Sequence, residues 1–343
     1  MECVFELPLK LILSGHGYRI SKKDGLLVIV KPDGLKKEFS IGNVSMVLAN
    51  VRGLSISGDA LRLMLRHGVP LVLVSNNKPI GKIQPMMLKT NVKLKKMQIR
   101  AQDSELGLKI ARSMVLNKIL NQVRVLKKLI KARHITQQRI ALKIDEKIQE
   151  ILSIYRTVST EEAYVKSWLI SKEAESAKHY WEAVSEILPK ELGFNGRKKK
   201  YENPEDPVNH SLNYLYTLLM YQVWYAIELS GLDPFIGYLH EDSNRRPSLV
   251  MDLMEEFRQP IVDLPLITYF IKCKDVRALH NDKRLADSFR KELLQLFFNT
   301  LEKRVTFMNR AAPVKTHIRL QPIRLAKYLL GISNSYKCYD VVV

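Results

Sequence analysis

From Leu9 to about Gln84 the apolar positions come in short runs, KLIL, LLVIV, SMVLA, LSIS and LVLV, separated by Gly15, Gly17, Gly25, Gly34, Gly42 and Gly53. Short aliphatic runs between turn formers predict strands, and this stretch reads as a small, mainly β domain. One helix interrupts it. Gly58-Asp59 precedes ALRLMLRHG, in which Leu61, Leu63, Met64 and Leu65 are apolar and Gly68 marks the stop. Past Gln84-Pro85 turn residues become scarce and helical spacing takes over. Between Ser104 and about His134, Leu108, Ala111, Val115, Ile119, Gln122 and Leu126 recur at steps of three and four, broken only by the polar Gln122. A helix of that span runs about 45 Å, long enough that a second subunit is expected to cover part of it. The stretch GFNGRKKKYENPEDPVN, Gly193 to Asn209, mixes turn formers with basic residues and predicts an exposed loop. Helical patterning resumes after it, with stops at Gly231 and near Pro260. The expected fold is α+β: a mainly β domain over residues 1–85, a linker over 86–100 and a larger all-α domain over 101–343.

Charge adds a partner to this outline. The 343 residues hold 55 Lys and Arg against 35 Asp and Glu, a formal net charge of +20. Such a chain attracts polyanions, and nucleic acid is the expected partner class. Basic stretches KLKKMQIR, RVLKKLIKARH, GRKKK and KCKDVRALHNDKR supply charge to neutralise phosphates. The strongest candidate is GRKKK, loop-borne and free of acids, so Arg197, Lys198, Lys199 and Lys200 are nominated to face DNA, with Arg245, Arg246 and Arg258 beside an acidic helix. Membrane association is not expected. The opening residues MECVFELPLKLIL lack a basic leader and cleavage site, and the apolar run Leu212 to Leu229 is interrupted by Asn213, Gln222 and Glu228. Three widely spaced cysteines, Cys3, Cys273 and Cys338, imply neither a disulfide framework nor a cysteine metal site. A soluble intracellular protein is the expectation.

Acid then collects where it is least expected, in GYLHEDSNRRPSLVMDLMEEF, residues 237–257. Pro247 suits a first helical turn and Arg258-Gln259-Pro260 an end. At 100° per residue Leu249, Val250, Leu253, Met254 and Phe257 share one arc, leaving Asp252, Glu255 and Glu256 outside it. A solvated acidic face on an amphipathic helix explains this pattern. So does a metal site: His240 arrives just before, and imidazole with carboxylate suits Mn²⁺ or Zn²⁺, carboxylate with water Mg²⁺. A third acid would come from SKEAESAKHYWEAV, where spacing does not choose between Glu173 and Glu175. Carboxylates repel phosphodiesters, so acids on a nucleic-acid-binding surface make chemical sense when a cation inverts the local charge. No serine or cysteine nucleophile constellation stands out.

Three blocks, DPVNHSLNYLYTLL (206–219), GLDPFIGYLH (231–240) and RPSLVMDLMEEFR (246–258), resemble in order and spacing the CRISPR-associated endonuclease and integrase family that inserts new spacers. The resemblance extends to LPLKLILSGHGYRIS and LSISGDALRLMLRHGVPLVLVS and covers nearly the whole chain. It implies a β domain and a helical domain joined by a flexible linker, in a homodimer, with a small ferredoxin-like partner bridging two dimers. It also implies a glutamate, a histidine and a second acid around Mn²⁺ or Mg²⁺. Aligning KEAESAKHYW to the family pattern puts the first ligand at Glu173 and makes Glu175 a bystander. The others fall on His240 and Glu255, with Asp252 an accompanying catalytic acid and Glu256 on the surface. Ala174 and Ser176 stand where the pattern has Gly and Ala, and both are small. The implied chemistry is attack of a DNA 3′-hydroxyl on a phosphodiester at a repeat boundary, or cutting of double-stranded and branched DNA by water, in the cytoplasm of a prokaryotic cell. A non-catalytic nucleic-acid scaffold of the same fold is the expectation from a different class.

Overall fold

Alternating burial builds the N-terminal part of the chain. In the computed structural model, which describes residues 9–75, 78–85, 91–131, 138–240, 247–273, 280–281 and 284–342, β1 (Leu9–His16) buries Leu11 and Leu13 and turns Ile12 outward. It pairs in parallel with β5 (Val44–Arg52), which pairs in parallel with β7 (Leu71–Ser75), and β8 (Lys78–Ile83) closes that sheet antiparallel to β7. A second sheet runs β4 (Lys36–Ser40), β3 (Leu26–Val30), β2 (Arg19–Lys23), β6 (Ser55–Ile56). Between β2 and β3 only Asp24 and Gly25 are unpaired, with φ of 49° and 79°, the positive values that a two-residue hairpin turn needs. Helix α1 (Gly58–Arg66) begins at Ser57, whose hydroxyl accepts from the Ala60 amide, and lays Ala60 and Met64 into a core with Ile20, Leu27, Val47 and Leu71.

The chain divides between Thr90 and Asn91 into two units. Of the expected linker, residues 86–90 lie outside the described residues, and the rest corrects the expectation: Val92–Gln102 is a helix, α2, of the second unit. Leu94, Gln98 and Ala101 are buried, which fixes its inner face. Gln98 gives both ends of its amide to the turn after residue 231, donating to the carbonyls of Asp233 and Ile236 and accepting from the Asp233 amide.

Helix α3 (Glu105–Ile130) is the axis of the second unit, flanked by α2, by α4 (Gln138–Thr160) and by α5 (Lys166–Ile187). The chain's own helices pack along it and bury 15 of its residues, Gln122 among them. Then follow α6 (Pro207–Ser230), capped by Asp206 and ended by Gly231 at φ 83°, and α7 (Ser248–Met254). The stop expected near Pro260 is not one. Arg258–Asp263 forms a π-helical segment that leads into α8 (Leu264–Lys272). Pro260 falls in the first turn of that segment, where a missing N–H costs no ladder bond. Helices α9 (Asp287–Glu302) and α10 (Val314–Leu329) complete the bundle.

The second unit is mainly but not entirely helical. A short pairing joins β9 (His280–Asn281) to β10 (Arg284–Leu285), and β11 (Arg304–Phe307) pairs with β12 (Arg310–Pro313) across Met308 and Asn309, at φ 49° and 59°. Among the described residues no helix is long and apolar enough to cross a membrane.

Candidate functional site

A cavity of about 910 Å³ opens in the second unit, lined by Lys118 of α3, Glu173 and Trp181 of α5, Tyr216 of α6, His240, Glu255 and Arg258. Its histidine is set by a turn that sequence and sterics fold tightly. A Cβ at Gly237 would lie 2.8 Å from Asp252 Oδ2 and from Ser248, so the backbone reaches α7 only because residue 237 is glycine. Ser248 Oγ accepts from the Gly237 amide at 2.9 Å and donates to the Phe235 carbonyl. Asp252 accepts from the amides of Tyr238, Leu239 and His240 at 2.6, 3.0 and 3.1 Å, and its Oδ1 stands 2.6 Å from His240 Nδ1.

Asp252 is therefore buried behind the imidazole, outside the cavity lining. The sequence placed it beside Glu255 as an accompanying catalytic acid. The fold instead gives it the task of closing the turn and fixing the ring, so that Nε2 is the nitrogen available to a cation. A carboxylate behind a histidine is the usual outer-shell arrangement of a metal-binding imidazole.

Glu255 follows α7 and is 3% exposed. Its Oε1 meets Arg258 at 3.0 Å and its Oε2 meets Lys118 Nζ at 2.5 Å. The same ammonium is hydrogen-bonded to Glu173 Oε1. Burial alone would raise the Glu255 carboxyl, but Arg258 and Lys118 outweigh it and hold the group at about 2. Burial likewise opposes the charge on Lys118, and Glu173 with Glu255 reverses that too, leaving its pKa raised. Of the two glutamates that spacing left open, Glu173 enters the cavity and Glu175 pairs with Lys172 at the surface at 2.8 Å.

The solvated acidic face is also corrected, since Asp252, Glu255 and Glu256 are all buried. Glu256, expected on the surface, points away from the cavity toward the last part of the chain. Its carboxylate accepts from the Tyr336 hydroxyl at 2.5 Å and from the Tyr339 amide at 2.8 Å, and burial pushes it up to about 7. The Tyr339 carbonyl in turn accepts from Asn117 and Asn121 of α3 at 2.9 and 3.1 Å. Beneath Arg258, Asp263 accepts from Tyr180 at 3.1 Å and Tyr216 at 2.5 Å, and burial raises it to about 6.

The nominated basic residues part company. Arg258 is a wall of the cavity, its guanidinium 5.0 Å above the Tyr216 ring. Arg197 reaches the same ring at 5.3 Å and donates to Asn209 and Asn213 at 3.0 and 2.6 Å, which ties the expected free loop to α6. Lys198 and Lys199 are exposed. Lys200 begins a 3₁₀ turn, Lys200–Glu202, and Arg245 and Arg246 lie outside the described residues. Sequence reasoning missed Lys118 altogether. Its signal was present in the polar set Asn117, Lys118, Asn121 and Gln122, spaced by four along an otherwise apolar stripe.

The donor set fits a divalent cation. Two carboxylates from separate elements converge on one cationic centre, and an oriented imidazole lines the same cavity. Among the described residues no three His, Cys, Asp or Glu side chains stand together at metal-ligand spacing, and the centre between Glu173 and Glu255 holds the ammonium of Lys118.

Comparison with known proteins gives this arrangement relatives. Residues 11–299 match the model of the family described as CRISPR associated protein Cas1. The chain is 31% identical to the CRISPR-associated endonuclease Cas1 1 of Archaeoglobus fulgidus, over 94% of this chain and 97% of that one. Among solved structures, a casposase bound to integration product superposes with a TM-score of 0.78 at 24% identity, covering 97% of this chain and 94% of that one. A chain of a Cas6-RT-Cas1–Cas2 complex gives a TM-score of 0.76 at 19% identity, covering 98% of this chain and 36% of that one.

Proposed function

The chain belongs to the Cas1 family, and from that premise we propose that it is a metal-dependent DNA endonuclease and integrase that joins short foreign DNA fragments into a CRISPR array. The observation that carries this reading is the convergence of Glu173 and Glu255 on one cationic centre beside His240. Glu173, His240 and Glu255 would hold Mn²⁺ or Mg²⁺, and Asp252 orients the imidazole. A divalent ion bound there would supply polarisation of the scissile phosphate and stabilisation of charge on its oxygens. The chain's own contribution is placement. Arg258 keeps the Glu255 carboxylate aimed and ionised, and the Tyr216 ring beneath Arg258 keeps that guanidinium in place. Attack by a DNA 3′-hydroxyl yields a joined strand, and attack by water yields a cut.

The net charge of +20 supports DNA, double-stranded or branched, as the polyanion. The casposase relative, solved with an integration product, supports strand transfer. The similar fold found in a Cas6-RT-Cas1–Cas2 complex supports action with a partner protein; the proposed assembly is a homodimer acting with a small ferredoxin-like partner in the cytoplasm of a prokaryotic cell.

The test is Mn²⁺-supported cleavage and strand transfer on branched DNA by the full chain. Glu173→Gln, His240→Ala and Glu255→Gln are each expected to lower the rate by more than the roughly 10- to 100-fold that loss of an outer-shell partner costs, with DNA binding at low salt retained. Wild-type protein that never nicks DNA with any cation would instead identify a scaffold of the same fold.

A further inference from the structure

Lys118 occupies a position that the proposed reaction does not explain. It lies on α3 with 8% of its side chain exposed, and its ammonium bridges two carboxylates that come from different parts of the chain. The division of oxygens is specific: Glu255 Oε1 belongs to Arg258, whereas Glu255 Oε2 and Glu173 Oε1 belong to Lys118. Arg258 aims one carboxylate. Lys118 holds two together, one buried and one partly exposed, and without a cation between them these like charges repel.

We infer that Lys118 is a built-in counter-cation of the metal site: its ammonium and the divalent ion compete for the same oxygens of Glu173 and Glu255, and loading the site displaces Lys118 from between them. This rests on the reading of Glu173 and Glu255 as metal ligands. An ammonium and a divalent ion on the same two carboxylates repel strongly at contact distance, so they alternate. Lysine suits the exchange, since its charge rides on a flexible four-carbon stem and needs no fixed fork of donors. Lys118 also lines the cavity, which gives the displaced ammonium a space to enter. Lys118 is thus a positioning residue that keeps the metal-free site charge-balanced and its ligands in register, at the expense of metal affinity.

The experiment is calorimetric titration of Mn²⁺ into the metal-free full chain without DNA, for wild type, Lys118→Met, Lys118→Arg and Glu255→Gln. Lys118→Met is expected to bind Mn²⁺ on the order of tenfold more tightly and to melt at lower temperature than wild type until Mn²⁺ restores it. Lys118→Arg, which keeps the charge, is expected to stay near wild-type affinity. If Glu255→Gln abolishes binding but Lys118→Met binds no more tightly than wild type, the competition is overturned and the metal site stands. If Glu255→Gln leaves Mn²⁺ binding unchanged, the metal-site reading fails and takes the inference with it. Should Lys118→Met be unfolded without metal, circular dichroism decides: folding with Mn²⁺ but not with NaCl of equal ionic strength supports competition, and an unfolded chain under both overturns it.

Discussion

Among the described residues, every buried side chain of the first unit is apolar, whereas the second unit buries Lys118, Asp252, Glu255, Glu256 and Asp263 with Asn117, Asn121 and Gln122. Apolar burial is graded, because each lost methylene subtracts a little. A closed polar network is not graded, since removing one member leaves another charged or polar group buried without its partner. The first unit is therefore built to tolerate substitution, and the second to hold a few charges in one geometry.

Four substitutions sharpen or break that contrast, the largest first. Glu255→Ala leaves Lys118 and Arg258 sharing a buried site with one carboxylate fewer, and is expected to cost about 3–5 kcal/mol in urea denaturation. A cost under about 1 kcal/mol, the scale of a surface ion pair, would break the contrast. Asp263 should make stability depend on pH. Burial holds its carboxyl at about 6 against an ordinary 3.8, so the folded chain keeps a proton that the unfolded chain has released. Its contribution is greatest below the ordinary value and is withdrawn as pH rises through about 6, by up to roughly 3 kcal/mol. Asp263→Asn keeps an acceptor for Tyr180 and Tyr216 and should flatten that fall between about pH 4 and about pH 6 in thermal melts. An undiminished fall would assign the dependence to another group.

Next comes Asp252→Asn, expected to weaken Mn²⁺ binding about 10- to 100-fold by loosening the imidazole, measured by the same titration as for Lys118. Unchanged affinity would leave Asp252 a purely structural acid. The smallest effect belongs to Ile20→Val in the first unit, about 1 kcal/mol with Mn²⁺ affinity untouched. A loss as large as that for Glu255→Ala would show that the apolar unit is no more forgiving than the polar one.

How far the sequence could be read follows the same division. The short aliphatic runs KLIL and LLVIV, and the apolar residues of ALRLMLRHG between Asp59 and Gly68, identify strands and a helix directly. The strands β2, β4 and β8 escape, since RISKK, KKEFS and KPIGKI carry little such contrast and owe their shape to pairing with neighbours. In the site, periodicity correctly separates Asp252, Glu255 and Glu256 from the apolar arc. It cannot see that the turn 237–240, α3 and residues 336–339 cover the opposite face, which is a fact of tertiary packing. Lysines are common on the outer face of a long helix, and what sets Lys118 apart from Lys109, which pairs at the surface with Glu105, is its place in the polar set with Asn117, Asn121 and Gln122.

The hold that Glu256, Asn117 and Asn121 keep on Tyr339 has a consequence in time. Glu173, Asp252, Glu255 and Glu256 all lie at or before residue 256, yet the backing that seats the helix of the last three against α3 includes a residue made more than 80 positions later. A chain synthesised only as far as those acids carries them without the residue that backs their helix. The carboxylates and the contact that seats them are thus separated in the order of synthesis, and their helix takes its final seat only after Tyr339 has been made.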